Sequence, residues 1–247
     1  SLQVVNSNLS LVLLSDSSIE NITGGSLGDT LTGNTLSNRL TGGPGNDMLI
    51  GGSGDDVYTL DTDTANGTDT IDESGGGLDT LDFTLTTTRV ITVDLSQPAV
   101  QVVNPGQSLI LSSGTTIENV NGGTLNDVLT GNSLANTLTG NAGNDTLNGA
   151  DGDDVLVGLA GNDVLNGGQQ NDRYQFDADV ALGSDTIVDA DGIDVLEFVL
   201  TNTLGITLDL ALTSAQVLNI NHTLTVQSGT VIESVLGTAQ NDVIQGN

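Results

Sequence analysis

The sequence predicts an all-β protein made of right-handed parallel β-roll blocks joined by β-rich spacer segments. A nine-residue period has Gly at position 1, Asp or Asn at position 6, and Leu, Ile or Tyr at position 8. Each unit ends in a short strand pattern after a glycine turn, and the spacers alternate apolar and polar residues. Glycine at least every nine residues keeps any helix in the repeats short. The right hand follows from the general preference of parallel crossover connections.

The repeats define the predicted domain organisation. Four units fill 24–59, six units fill 122–175, and a further unit occupies 237–245. The predicted segments are 1–23 (end of a spacer and a lead-in turn), 24–59 (β-roll block 1), 60–121 (β-rich spacer), 122–175 (β-roll block 2), 176–236 (β-rich spacer) and 237–247 (start of β-roll block 3).

A longer period lies above the short one. Ile19-Glu20-Asn21 recurs as Ile117-Glu118-Asn119 and again as Ile232-Glu233-Ser234. This spacing predicts a tandem array of modules of roughly 100 residues. We therefore expect the chain to be a piece of a longer protein.

The charge balance restricts the possible partners. The chain has 32 acidic and three basic residues, a net charge of −29, which excludes nucleic acid and anionic membrane as partners and invites cations. The absence of cysteine removes disulfides and thiolate metal sites. No apolar stretch approaches the roughly 18 residues that span a bilayer, so no transmembrane segment is predicted.

The spacing of the acidic residues predicts bound calcium. Calcium takes 6–8 oxygen ligands from carboxylates and carbonyls. If two units make one full coil, units two repeats apart lie above one another and their position-6 carboxylates converge. Glycines at positions 1, 2 and 4 tolerate positive φ and let the backbone aim its carbonyls at the same point. Carboxylates this close repel one another unless a cation lies between them, so we expect several Ca²⁺ ions.

The units GGPGNDMLI (42–50) and GGSGDDVYT (51–59) match G-G-x-G-x-D-x-U-x at every fixed position, with Tyr allowed at the apolar one. The sequence therefore resembles the RTX (repeats-in-toxin) family of calcium-binding repeats, over about ten units and under half of the chain. The resemblance implies that one turn supplies carbonyls from positions 2 and 4 and its aspartate. The turn two units later then supplies carbonyls from positions 1 and 3 and its own aspartate.

The resemblance implies a specific set of calcium ligands. The implied carboxylate pairs are Asp29 with Asp47, Asp127 with Asp145, Asp145 with Asp163, and Asp154 with Asp172; Asn38 with Asp56 and Asn136 with Asp154 contain one amide. The implied metal-site residues are Asp29, Gly42, Gly43, Gly45, Asp47, Gly52, Gly54, Asp56, Asp127, Gly140, Gly143, Asp145, Gly149, Gly152, Asp154, Gly158, Gly161, Asp163, Gly167 and Asp172.

The first two units of each region depart from the family pattern, because position 4 is Leu27, Leu36, Leu125 or Leu134 instead of Gly. We expect these units to bind calcium more weakly or to form an apolar opening cap. The competing interpretation of all the repeats is a metal-free solenoid in which Asp and Asn serve as turn residues. For the two asparagines at position 6, a turn cap without metal is an equal alternative to ligation.

Other acidic residues have two interpretations each. The spacer groups could be extra calcium loops, although solvated acidic turns are the default because the EF-hand spacing is absent; they are Asp61, Asp63 and Asp69, and Asp177, Asp179 and Asp185. Glutamates before the repeat regions could ligate metal or cap the roll; they are Glu20, Glu118 and Glu233.

Catalysis has little support in the sequence. His222 is the only histidine, and a place on the surface or on an edge strand is expected for it rather than a role as general base. Nucleophile-elbow, zinc and phosphate-loop patterns are absent from the sequence. We therefore predict that this chain is not an enzyme.

The predicted function is a calcium-binding structural repeat region of an extracellular protein of the adhesin, surface-layer or filament type, which folds and rigidifies on binding Ca²⁺. The resemblance implies secretion by a bacterial type I system and a location outside the cell or on the bacterial surface. Its expected partners are calcium and neighbouring modules or copies of itself. The alternative is the secretion region of an extracellular enzyme whose catalytic domain lies elsewhere. Ice binding would need a regular Thr or Asn array, which position 3 lacks.

Overall fold

The computed structural model describes residues 8–13, 19–189, 191–227 and 232–246. The chain divides into two compact units, residues 1–123 and 124–247. In the described residues of both units the regular structure is β-strand and turn, without helix. Most strands pair in parallel and successive repeats alternate between two sheets. The predicted class, an all-β parallel β-roll, is confirmed. The described part of the chain contains no helix that is long and apolar enough to cross a membrane.

The described residues of the first unit form twelve strands. They are β1 (Ser10–Val12), β2 (Asn21–Thr23), β3 (Thr30–Thr32), β4 (Arg39–Thr41), β5 (Met48–Ile50), β6 (Val57–Thr59), β7 (Gly67–Asp72), β8 (Thr80–Asp82), β9 (Thr92–Asp94), β10 (Gln101–Asn104), β11 (Gln107–Leu111) and β12 (Asn119–Asn121). One sheet has the order β1-β3-β5-β7-β11-β10, and the facing sheet runs β2-β4-β6-β8-β12.

In the part of the second unit that the structure describes, there are thirteen strands. They are β13 (Val128–Thr130), β14 (Thr137–Ala142), β15 (Thr146–Asp151), β16 (Val155–Ala160), β17 (Val164–Gln169), β18 (Arg173–Gln175), β19 (Gly183–Val188), β20 (Val195–Glu197), β21 (Thr207–Asp209), β22 (Gln216–Val217), β23 (His222–Val226), β24 (Ser234–Leu236) and β25 (Val243–Gln245). Its sheets run β14-β16-β18-β20-β24 and β22-β23-β19-β17-β15-β13, and β21 pairs with β25.

The register of the strands shows that two nine-residue units make one coil. Leu31 pairs with Leu49 in one sheet of the first unit, and Leu147 pairs with Leu165 in the second unit. Both pairs are parallel and join position 8 of one unit to position 8 of the unit two repeats later. The predicted stacking of alternate repeats follows directly from this register.

The core of each unit is a stack of position-8 side chains between the two sheets. Each has a relative exposure of 0%; they are Leu31, Leu40, Leu49, Tyr58, Leu129, Leu138, Leu147, Leu156, Leu165 and Tyr174. The residues on either side of them in each short strand are exposed or half-buried, except for Thr59, which is buried beside Tyr58. One apolar residue per unit therefore fills the interior, which explains how a chain with 2% aromatic residues can have a core.

The spacers continue the two sheets within each unit. Strand β7 pairs in parallel with β5, and β8 pairs with β6. In the second unit, β19 pairs with β17 and β20 pairs with β18 in the same way. The spacer coils are longer because additional residues lie in the turns between the strands. The predicted segment boundaries between blocks and spacers remain a prediction.

We expect Leu147→Ala to destabilise the folded protein by about 2–5 kcal/mol, because it removes a fully buried side chain and leaves a cavity between the sheets. Val164→Ala is the matched control, since Val164 flanks the core on a neighbouring strand and is 39% exposed. Urea unfolding in saturating calcium, followed by circular dichroism, measures both changes. Equal losses of stability in the two variants would contradict this description of the core.

Candidate metal centre

The position-6 carboxylates link each turn to the turn two units earlier. The backbone N–H of Asp29 donates to Oδ1 of Asp47 at 2.7 Å, and that of Asp145 donates to Oδ1 of Asp163 at 2.8 Å. The parallel register of the strands places these residues above one another. One oxygen of each carboxylate is therefore used for a structural hydrogen bond between coils.

These bonds form continuous rows, which we call the carboxylate ladders. The first unit has the ladders Asp29–Asp47–Asp69 and Asn38–Asp56–Asp79–Glu118. The second unit has Asp127–Asp145–Asp163–Asp185 and Asn136–Asp154–Asp172–Asp194–Glu233. In every step the side-chain oxygen accepts the backbone N–H of the preceding ladder member, at distances between 2.6 and 2.9 Å.

The second oxygen of these carboxylates is buried and lacks a hydrogen-bond partner. This holds for Oδ2 of the position-6 aspartates in the later units, Asp47, Asp56, Asp145, Asp154, Asp163 and Asp172, and for Oδ2 of Asp79 and Asp185. A buried anionic oxygen without a partner is costly. A calcium ion, which binds carboxylate oxygens, would satisfy it. The residues present therefore fit a calcium site.

Glycine at position 1 makes room for this oxygen. A Cβ on Gly42 would overlap Oδ2 of Asp47, and a Cβ on Gly158 would overlap Oδ2 of Asp163. The same conflict arises at Gly140, Gly149 and Gly167. The position-1 glycines of the predicted site thus line the space into which the unpartnered oxygen points.

Positions 2 and 4 have a left-handed backbone in the later units. Position 4 has φ of 152° at Gly45 and 129° at Gly143, and position 2 has φ of 92° at Gly43. Position 2 keeps this conformation even where it is not glycine, with φ of 82° at Ala150 and 68° at Leu159. Non-glycine residues avoid this region, so the turn geometry is imposed by the stacking of the coils and not by local preference.

The opening units have a different turn. The N–H of Gly25 donates to Oδ2 of Asp29 at 2.5 Å, and the N–H of Asn132 donates to Oδ1 of Asn136 at 2.7 Å. These bonds occupy the position-6 oxygen that is unpartnered in later units. Leu27, at position 4 of the first opening unit, is 50% exposed. Weaker calcium binding or an apolar opening cap remains the prediction for these units.

Burial raises the pKa of several ladder carboxyls when no metal is bound. It raises the pKa of Asp154 and Asp163 to about 7 and that of Asp172 to about 8. The hydrogen bond from the preceding ladder amide lowers each pKa, and neighbouring carboxylates raise it. Desolvation is the largest cause, so a bound cation would strongly favour the ionised forms.

The predicted acidic turns of the spacers divide into two kinds. Asp63 is half-buried, and its carboxylate accepts hydrogen bonds from the N–H groups of Thr88 and Thr87, which lower its pKa to about 2. In the second unit, the carboxylate of Asp179 accepts hydrogen bonds from the N–H groups of Thr203 and Leu204 in the corresponding loop. These carboxylates anchor the inserted loops. Asp69 is different: it is buried and belongs to a ladder, so the default expectation of a solvated turn is wrong for it.

Sequence reasoning missed the ladder residues supplied by the spacers. A signal was present, since Asp69-Thr70-Ile71, Asp79-Thr80-Leu81 and Asp194-Val195-Leu196 repeat the Asp-x-apolar ending of the nine-residue unit. The spacer turns before them have other lengths, which hid the pattern. Glu118 and Glu233 hold the final place in their ladders, whereas Glu20 is exposed.

His222 contradicts the expectation of a surface or edge-strand position. It lies on β23, between β22 and β19, and its side chain is fully buried. Its Nε2 is 3.0 Å from Oδ2 of Asp185, at ion-pair distance but without the alignment of a hydrogen bond, and its ring packs on Phe176. In the first unit Gln107 takes this place, donating from Nε2 to Asp69 at 2.9 Å. The expectation failed because the spacer strand stacks on the roll.

We expect Ala150→Gly to stabilise the protein by up to about 1 kcal/mol. The left-handed backbone costs a non-glycine residue about 1–2 kcal/mol, and glycine removes this cost. The gain exceeds the additional conformational entropy that glycine loses on folding, about 0.4–1 kcal/mol. Gly152→Ala in the same turn is the comparison. It has φ of 131°, and its Cβ would overlap the Leu134 carbonyl oxygen, so it should destabilise. Thermal unfolding in calcium measures both, and a gain of stability in Gly152→Ala would be inconsistent with this turn.

Acid should partly replace calcium. Without metal, Asp154, Asp163 and Asp172 in the folded protein hold protons with pKa values of about 7 to 8, while their ordinary pKa is 3.8. The folded state then binds more protons, so its stability is highest near pH 4 and falls as the pH rises to about 8. In saturating calcium the trend reverses, since calcium binds the ionised carboxylates. Circular dichroism of unfolding at both ends of this range, with and without calcium, tests the two signs; parallel trends would contradict them.

Three comparisons with known proteins were made for this chain. A search of curated proteins found no match. Among solved structures, the extracellular lipase LipA from Serratia marcescens has 19% sequence identity and a TM-score of 0.33, over 85% of this chain and 40% of the lipase chain. This chain thus spans less than half of the lipase. The family described as RTX calcium-binding nonapeptide repeat (4 copies) matches residues 23–58, 121–156 and 149–179. The match to these calcium-binding repeats covers under half of the chain.

Proposed function

We propose that this chain is a structural region of an extracellular RTX protein of the adhesin, surface-layer or filament type, which folds and becomes rigid when it binds calcium outside the cell. Several Ca²⁺ ions would lie along the carboxylate ladders. In this proposal the later units of each block bind calcium, and the opening units, whose position-6 oxygens already accept backbone N–H groups, begin the roll.

The unpartnered second oxygens of the ladder carboxylates are the observation that carries the proposal. They are buried, they face glycines with no side chain, and they recur in each coil of the later units. A metal-free solenoid that used Asp only as a turn residue would need one oxygen per turn. The second oxygen, buried without a partner, would then only destabilise the fold.

The charge of the chain supports coupling between binding and folding. A net charge of −29 opposes the compact state, and a hydrophobic content of 36% provides limited apolar burial to offset the ordering entropy. Calcium bound between coils removes this repulsion in the folded state alone, because the unfolded chain holds no preformed site. Binding free energy then becomes folding free energy. Calcium at extracellular concentrations would act as the signal to fold.

The repeated module favours a structural role. Each unit contains a block of nine-residue repeats followed by a spacer that continues the same two sheets. In the second unit, β25, from the first repeat of the next block, pairs with spacer strand β21. Such a pattern suits an array in which neighbouring modules are partners of one another. The alternative, a secretion region of an extracellular enzyme, would be favoured by a catalytic domain in the complete reading frame.

Calcium dependence gives the direct test. We expect the chain to lack β-structure and cooperative melting in excess chelator, and to gain both on titration with calcium. Circular dichroism with thermal melting measures the transition. Full β-structure with cooperative melting in excess chelator would falsify the folding switch.

A matched pair of variants in the second unit tests the ladder itself. Asp163→Asn removes a buried ladder carboxylate and should raise the calcium concentration at the folding midpoint, whereas Asp151→Asn removes an equal charge from an exposed position and should change it little. Equal shifts would indicate a response to net charge and not to the ladder sites.

A further inference from the structure

A cluster of three buried carboxylates lies where the first block of repeats ends. Carboxylate oxygens of Asp56, Glu73 and Asp79 lie within 4.8 Å of one another, and all three residues are at most 1% exposed. Asp56 and Asp79 are ladder neighbours. Glu73 belongs to neither ladder and comes from the spacer turn between them. The cluster thus has one more carboxylate than an ordinary ladder step.

One substitution in the repeat pattern and one spacer residue build this cluster. Position 8 of the last repeat is Tyr58 instead of Leu, and its hydroxyl donates a hydrogen bond to Oε2 of Glu73. The carboxylate oxygen Oε2 of Glu73 contacts Gly51, in the space that a Cβ on that glycine would occupy. The tyrosine therefore fixes the orientation of an added carboxylate above the position-1 glycine of the last repeat.

The second unit contains the same arrangement with different residues. Oxygens of Asp172, Asp189 and Asp194 lie within 4.8 Å of one another, and the Tyr174 hydroxyl donates to Oδ2 of Asp189 at 2.5 Å. Asp189 precedes Asp194 by the spacing of positions 1 and 6, whereas Glu73 precedes Asp79 by one residue more. The longer side chain of Glu73 makes up for the additional residue. The geometry of the cluster is kept although the sequence differs.

The first cluster contains oxygens that protein groups do not satisfy. Oδ2 of Asp56, Oε1 of Glu73 and Oδ2 of Asp79 are all buried without a hydrogen-bond partner. In the second cluster, Asp189 and Asp194 are hydrogen-bonded to each other. Two carboxyl groups in such contact can both be ionised only if a cation lies between them. Without a cation they share a proton.

Basic side chains do not neutralise the clusters. The chain has no lysine, and its three arginines bind elsewhere: Arg39 to Asp82 at 2.8 Å, Arg173 to Glu197, and Arg89 to the Pro105 carbonyl. Only protons or a metal cation remain as the balancing charge near neutral pH.

We propose that each block of repeats ends in a terminal calcium site, formed by Asp56, Glu73 and Asp79 in the first unit and by Asp172, Asp189 and Asp194 in the second. This inference rests on the proposed calcium-dependent function and adds a site of another kind. Three carboxylates give it more negative charge than a ladder step with two. The terminal sites therefore fill first as calcium is added, since the number of charged ligands raises affinity.

The two tyrosines allow a direct test with terbium(III), a luminescent ion that replaces calcium at oxygen sites. Tyr58 and Tyr174 are the only tyrosines, tryptophan is absent, and each tyrosine hydroxyl bonds to a cluster carboxylate. Energy transfer from tyrosine to terbium falls steeply with distance, so excitation of tyrosine reports on these sites. In Tyr174→Phe the remaining signal comes from the first unit.

In the Tyr174→Phe background, Glu73→Gln should weaken terbium binding at the sensitised site by about tenfold or more, because a charged ligand is lost. Asp72→Asn is the matched control, as it removes one charge from the adjacent residue outside the cluster, and it should leave the titration unchanged. Asp189→Asn in the Tyr58→Phe background repeats the test in the second unit. Calcium should displace the bound terbium, and the sensitised signal should rise before the circular dichroism transition is complete.

An unchanged terbium titration in either carboxylate variant overturns the terminal site, as does an equal loss in the Asp72→Asn control. Circular dichroism of each variant in calcium verifies that the roll is formed. The proposed function fails separately: it is lost if the unmodified chain folds fully in chelator, whatever the terbium signal. A calcium-dependent transition together with a full signal in Glu73→Gln and Asp189→Asn rejects only the terminal site.

Discussion

The hydrogen bond between a position-6 carboxylate and the backbone amide of the preceding ladder member links stacked coils within each unit of this protein. In the bond from Asp145 to Asp163, one carboxylate oxygen fixes the register of two stacked turns. The other oxygen is then held in a buried place, against a glycine, without a protein partner. The same contact that orders the coils thus leaves a buried anionic oxygen that a bound cation would stabilise.

The remaining features of the fold are consequences of this arrangement. Coils stacked so closely leave space for one core residue per repeat, and that residue is fully buried, as at Leu156. The turns must follow the stack, so Leu159 and Ala150 adopt a left-handed backbone that their side chains disfavour. Spacers can vary in length because only their Asp-x-apolar strands need to meet the ladder, while additional residues lie outside in loops anchored by Asp63 and Asp179.

Much of the candidate site could be predicted because the repeat period matches the coil. Position 6 and position 8 recur every nine residues, so pairs such as Asp154 and Asp172 could be placed above one another by counting. Counting fails in the spacers. Asp69 lies 22 residues from its ladder neighbour Asp47, and Glu118 lies 39 residues from Asp79. Their contribution depends on where the loops return, which the period does not encode.

The sequence by itself determined the β-roll, its two-repeat coil, its leucine core and the chemistry of its paired aspartates, because each depends on a strict local period. The tertiary structure decided which carboxylate oxygens remain without partners, and it placed His222 and Glu73 inside the molecule. Both residues come from spacer segments whose burial arises only when their strands stack on a finished block. Contacts between segments of unequal length are set by three-dimensional packing, and a one-dimensional period cannot express them.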